Sequence, residues 1–133
     1  MKLFDSKWWT LNVPDSASIT LCRDYASIKL SDKPDVEMRL TVLRGENADT
    51  TTADLEFYAS SFYDGMRGRV SVDRNGWIGF VFTHVDTKTG RVSSRGYFGK
   101  KRYLAIASID NSMELLPINL IEELMGQLEV KAE

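Results

Sequence analysis

The sequence predicts an α+β fold: an antiparallel sheet with helices packed on it, ordered as a strand pair or meander, a middle helix, a three-to-four-strand meander and a C-terminal helix. Three observations lead there. Apolar and polar residues alternate at period two in several segments, the pattern of a half-buried strand. Two other segments switch to helical spacing, around 51–65 and after residue 116. Consecutive strands between 70 and 109 are joined by short turns, so adjacent pairing is the expected topology.

In order, Trp9, Leu11 and Val13 alternate with Trp8, Thr10 and Asn12, a strand with one apolar face that Pro14-Asp15-Ser16 ends. Ile19 and Leu21 define a short strand; Ala26, Ile28 and Leu30 define another. Ser31-Asp32-Lys33-Pro34-Asp35 reads as a turn, and Val36, Met38, Leu40 and Val42 then alternate with Glu37, Arg39, Thr41 and Leu43. Leu55, Tyr58, Ala59, Phe62 and Met66 form an apolar stripe, which predicts a helix over 51–65 capped by Thr50 or Thr51. Gly65 or Gly68 is expected to supply its left-handed exit. Strands resume at Val70 and Val72. Asn75-Gly76 is a strong hairpin signal, and Ile78, Phe80 and Phe82 share one face of the strand 77–85. Turns at 86–90 and at Gly99-Lys100-Lys101 lead into strands 91–98 and 103–109. After Asn111-Ser112, the final helix is placed from about Leu116 to about Val130, with Pro117 in its first turn and Ile118, Ile121, Leu124, Met125 and Leu128 as its buried stripe.

No linker, repeat or low-complexity tract divides the 133 residues, so one domain over 1–133 is expected, long enough to bury a core. Apolar residues make up 43% and charged ones 27%, ordinary for a globular chain. Cys22 is the single cysteine, which excludes an internal disulfide and a cysteine-rich metal site. The first residues carry no signal-peptide pattern, and no stretch approaches the roughly 20 apolar residues needed to cross a bilayer. The expectation is a cytoplasmic protein without membrane insertion, cofactor or metal.

Catalytic signatures are sparse. His84, the single histidine, lies on the Ile78/Phe80/Phe82 side of its strand with no ligand-spaced partner, and reads as a packed strand histidine before a general base. Cys22 beside Arg23 reads as a small half-buried residue before a reactive thiol. Gly65-Met66-Arg67-Gly68-Arg69 lacks the lysine and Ser/Thr of a P-loop. An enzyme is not expected.

Charge is more telling. Nine of the seventeen basic residues and only two acids, Asp73 and Asp86, fall in 67–102, a formal +7. The rest carries −9, for a total of −2. Segregation of this kind marks a candidate partner surface. Its residues are Arg69 and Arg74 near one turn, Arg91 and Arg95 on one strand face, and Lys100-Lys101-Arg102 in a loop, with aromatic Trp77, Tyr97, Phe98 and Tyr103 interleaved. Three readings stay open: a solvated edge that discourages aggregation, a site for an acidic protein, and single-stranded nucleic acid. The acidic balance, with pI near 5.5, argues against the last. Trp8 is a further contact candidate should it point outward beside other apolar groups.

Together the motifs resemble the PsbP-like superfamily, which includes the DcrB-like bacterial proteins. The resemblance spans Trp9-Thr10-Leu11-Asn12-Val13-Pro14-Asp15 as an opening strand and proline turn, the middle helix, and Asn75-Gly76-Trp77-Ile78-Gly79-Phe80 entering the meander. Tyr103-Leu104-Ala105-Ile106-Ala107 follows as the last strand before the closing helix. It implies a non-enzymatic binding protein with no catalytic residues to carry over. One bacterial branch resembles adaptor chaperones that hold apolar segments of type VI secretion effectors in the cytoplasm. The leading expectation is therefore a cytoplasmic protein-binding adaptor or chaperone that takes an acidic or apolar segment and could also self-associate as a homodimer. The alternative is an immunity protein that neutralises a toxin. An enzymatic reading needs a pocket that gathers His84 or Cys22 with carboxylates.

Overall fold

The computed structural model describes residues 1–46, 48–110 and 118–131. In chain order the elements are β1 (Lys2–Asp5), β2 (Trp9–Val13), β3 (Ser18–Leu21), β4 (Ala26–Leu30) and β5 (Lys33–Arg44), then α1 (Thr52–Ala59) and a 3-10 segment (Ser60–Gly65). They continue with β6 (Met66–Arg74), β7 (Trp77–Val85), β8 (Val92–Lys100), β9 (Tyr103–Asp110), α2 (Ile118–Gly126) and β10 (Leu128–Val130). The fold is α+β, built on antiparallel sheets as the periodicity predicts. Seven strands form one sheet in the order β3-β4-β5-β9-β8-β7-β6, and β1-β2-β10 form a smaller one.

Burial on both faces explains the apolar run of β7. Trp77 and Val81 point to one side of the large sheet, where the small sheet and α2 cover them with Trp9, Leu11, Ile121, Met125 and Leu128. Phe80 and Phe82 point to the other, where they stack with Tyr97 beneath Leu55 and Ala59 of α1. Helix α1 starts at a full capping box: the Thr51 hydroxyl accepts from the Asp54 N–H while the Asp54 carboxylate accepts from the Thr51 N–H. The β6–β7 hairpin turns on Asn75 and Gly76, both at positive φ (56° and 81°), as a two-residue loop matched to strand twist requires.

Several boundaries differ from the sequence reading. The middle helix is α-helical only to Ala59 and tightens into the 3-10 segment, and Gly65 does not adopt the left-handed conformation. Gly68 does, at φ 60°, but inside a register shift of β6 rather than at a helix exit. The turn placed at Gly99-Lys100-Lys101 lies at Lys101-Arg102 instead, with Lys101 at φ 54°. The predicted C-terminal helix ends at Gly126, and Leu128–Val130 pair with β2 as a strand. The last helical residue, Gly126, leaves room for Arg74, whose Nε a Cβ there would approach to 2.9 Å. The expected start at Leu116 and Pro117 lies outside the described residues. Strand β1 has no alternating apolar signal, and it exists because β2 offers it a free edge. No helix among the described residues is long and apolar enough to cross a membrane.

Candidate binding site

At the end of the β7–β8 pair, where His84 and Val85 face Ser93 and Val92, lies a cleft of about 390 Å³. Register places its residues side by side: His84 pairs with Ser93, and Ser93 in turn with Asp110 of β9. Arg91 enters from the turn before β8, and Phe62 of the 3-10 segment forms a wall. The guanidinium of Arg95 lies 3.9 Å from the Phe62 ring centroid, a cation–π contact. Its Nε donates to Ser93 Oγ at 3.3 Å, and its Nη2 lies 3.8 Å from Asp110 Oδ1. The His84 imidazole meets Phe62 edge-on, with centroids 5.1 Å apart. Gly65 closes the back: a Cβ there would stand 2.1 Å from the Val85 carbonyl oxygen and 2.8 Å from the His84 ring.

Electrostatics in the cleft favour a neutral imidazole. Burial lowers the His84 pKa below its ordinary 6.5, and the charges of Arg95 and Arg67 push the same way, opposed by Asp86. Asp86 is committed to its turn. Its Oδ1 accepts the backbone N–H groups of Lys88 and Thr89 at 2.8 and 2.9 Å, which hold the carboxyl below its usual range. Histidine and two carboxylates do share this cavity, the gathering an enzymatic reading asks for. Among the described residues, however, no hydrogen bond orients the imidazole, and both carboxylates have other partners. Nor do the described residues contain a group of three or more His, Cys, Asp or Glu able to hold a metal ion.

Of the basic residues singled out from the sequence, the structure brings Arg91 and Arg95 together and scatters the others. Arg69 pairs with Glu56 of α1 and lies 3.8 Å from the Phe80 ring centroid. Arg74 lies against α2 at Gly126. The other three sit at the opposite end of β8, roughly 30 Å along the strand at about 3.3 Å per residue. There Lys100 Nζ donates to the Asn75 carbonyl at 2.8 Å and stands over Trp77, and Arg102 Nη1 donates to the Glu46 carbonyl at 2.6 Å. Lys101, exposed at the turn, accepts the Thr50 N–H through its carbonyl at 2.6 Å.

Trp8 is half-buried between Lys7 and Arg44, at 5.3 and 5.8 Å from its ring. It lines a second, more apolar groove of about 370 Å³ with Trp9, Leu21, Cys22, Tyr25 and Leu43. Cys22 is exposed and sits in the turn after β3, not half-buried in a strand as its neighbours suggested.

Sequence reasoning missed Phe62, Asp86 and Asp110 as members of the first cleft. Asp110 was hidden by the misplaced turn, since pairing 91–98 with 103–109 across it sets Ser93 opposite Ser108, whereas the observed register sets it opposite Asp110. Phe62 counted as helix stripe, whereas it lies in the 3-10 segment and meets His84.

No protein-family profile matches the sequence, and no curated protein does. Solved structures do. A crystal structure from Bacteroides thetaiotaomicron VPI-5482 superposes with a TM-score of 0.70 at 17% identity, covering 99% of this chain and 49% of that one. The solution structure of cyanobacterial PsbP (CyanoP) from Synechocystis sp. PCC 6803 superposes with a TM-score of 0.57 at 8% identity, covering 92% and 86%. The fold is PsbP-like. At these identities the likeness concerns backbone architecture, and the chain spans about half the length of the Bacteroides protein. The PsbP-like fold thus supplies the scaffold, a large sheet with a helix over part of one face, and the cleft is argued from its own side chains.

Proposed function

We propose that this chain is a non-enzymatic protein-binding module, an adaptor or chaperone that engages a partner segment carrying acidic groups beside apolar ones. One observation carries the reading: Arg91 and Arg95 line a cleft walled by the Phe62 ring, so two cations, Arg95 held in place by Phe62, and an aromatic surface face the same 390 Å³ space. Guanidinium groups suit this role because they keep their charge and bind carboxylates in a planar fork. The PsbP-like architecture and the segregated charge support it, as does the lack, among the described residues, of a hydrogen bond orienting His84 as a base. A cytoplasmic, secretion-associated setting is the form of the proposal that follows from the family resemblance.

The test is an affinity pulldown of the tagged chain from its native lysate at low and high salt, repeated with the double variant Arg91→Glu/Arg95→Glu. A protein captured by the wild type, weakened by salt and lost from the variant is the expected result. An empty pulldown, or capture unaffected by the double variant, rejects the cleft as the contact site.

A further inference from the structure

We propose that the cleft between the 3-10 segment and the β7–β8 pair is an oxyanion site, which holds a carboxylate or phosphoryl group on Arg91 and Arg95 and takes up a proton at His84 as the group binds. This names the chemistry of the ligand and rests on the reading of the cleft as the contact surface.

The geometry supplies the parts. Arg91 is exposed, and its side chain makes no ion pair among the described residues, so its charge is free to meet a ligand. Arg95 is the opposite: Phe62 below it, Ser93 beside it and Asp110 at 3.8 Å fix its plane at the cleft wall. A 3.8 Å ion pair at an exposed carboxylate is weak, and an incoming oxyanion can displace it. His84 is half-buried, lines the same cavity, and has no hydrogen-bond partner of its own among the described residues.

Three charged groups act on His84: Arg95 of β8 and Arg67 of β6 lower its pKa, and Asp86 after β7 raises it. Arg91 before β8 and Asp110 at the end of β9 line the same cavity, and the 3-10 segment packed against the ring carries Asp64. Burial and the charges of Arg95 and Arg67 hold the His84 pKa below its ordinary value, against Asp86. A bound anion screens those arginines and adds an opposite charge beside the ring, so protonation becomes favourable. By linkage, binding then tightens as pH falls.

His84 is the only histidine, so its imidazole gives a single pH titration by NMR. The titration is run in chloride, in sulfate at equal ionic strength, and with an end-blocked Glu-Glu peptide. Sulfate stands for a phosphoryl group and keeps a constant charge across the range. The expected result is a rise of about one pH unit in the His84 midpoint with at least one of the two anions. Arg91→Gln and Arg95→Gln each reduce that rise, with the remaining backbone signals unmoved. A rise with the peptide alone assigns a carboxylate ligand, and a rise with sulfate alone assigns a phosphoryl ligand. An identical midpoint in all three conditions, or a rise that both glutamine variants retain, overturns the proposal. This outcome is separable from the pulldown: a partner lost from Arg91→Glu/Arg95→Glu together with an immobile His84 midpoint keeps the contact surface and removes the oxyanion.

Discussion

His84 and Gly65 press against each other at the back of the cleft, and each constrains what the other can do. Because the folded chain lowers the His84 pKa below 6.5, the unfolded chain binds a proton that the folded one resists. Stability is therefore full above about pH 6.5 and declines as pH falls toward the folded midpoint, since the unfolded state takes up more protons there. His84→Gln should flatten this slope: between pH 7.5 and about pH 5 the urea midpoint of the wild type should fall further than that of the variant. Equal pH dependence in both proteins would show that burial of the imidazole has no energetic consequence. Gly65 has a separate reason to lack a side chain, the 2.1 Å approach to the Val85 carbonyl oxygen. Backbone cannot yield as a flexible side chain does, so Gly65→Ala should push the 3-10 segment off β7, with a stability loss of about 1–3 kcal/mol from overpacking. The His84 and Phe62 NMR signals should shift with it, and unchanged signals would refute the close approach.

Elements in this molecule are held by different forces at their two ends. Helix α1 begins with the Thr51–Asp54 capping box, whose loss in Thr51→Ala should cost about 1 kcal/mol, read from urea unfolding. Its end carries no basic residue and passes directly into the 3-10 segment. Strand β10 is only three residues long and depends on its neighbours. The Leu128 carbonyl accepts from Trp77 Nε1 at 3.0 Å and Asn75 Nδ2 at 2.9 Å, and its side chain is fully buried. Leu128→Ala should cost about 2–5 kcal/mol by opening a cavity between the small sheet and α2. A loss below 1 kcal/mol would mean that the C-terminal segment docks weakly. The same contacts explain why helical spacing near the C-terminus misled: Leu128 keeps the apolar period of α2 while belonging to a strand, because the free edge of β2 captures the chain after Gly126.

At the scale of the whole molecule, the large sheet should set the order of opening. Its central strands β7, β8 and β9 are paired on both edges and covered on at least one face, whereas β3 and β6 lie at the margins. Native-state hydrogen exchange should find amides of β8 and β9 opening only with global unfolding, and those of β3 exchanging through local fluctuations. Comparable protection in β3 and β8 would contradict this ordering. Much of the architecture was legible in the chain because it is local: alternation placed β2 and β5, an apolar run placed β7, the apolar stripe with a threonine cap at 50 or 51 placed α1, and Asn75-Gly76 placed a hairpin whose positive φ values few other residues accept. The candidate site was legible only in part. Arg91 and Arg95 share a strand face by period two, but Phe62, Asp86 and Asp110 reach them from three other segments. Composition and period determined the fold class and the charge segregation. Tertiary structure decided which charges meet, because a one-residue change in a turn resets a whole strand register, and register rather than sequence distance sets which side chains share a cleft.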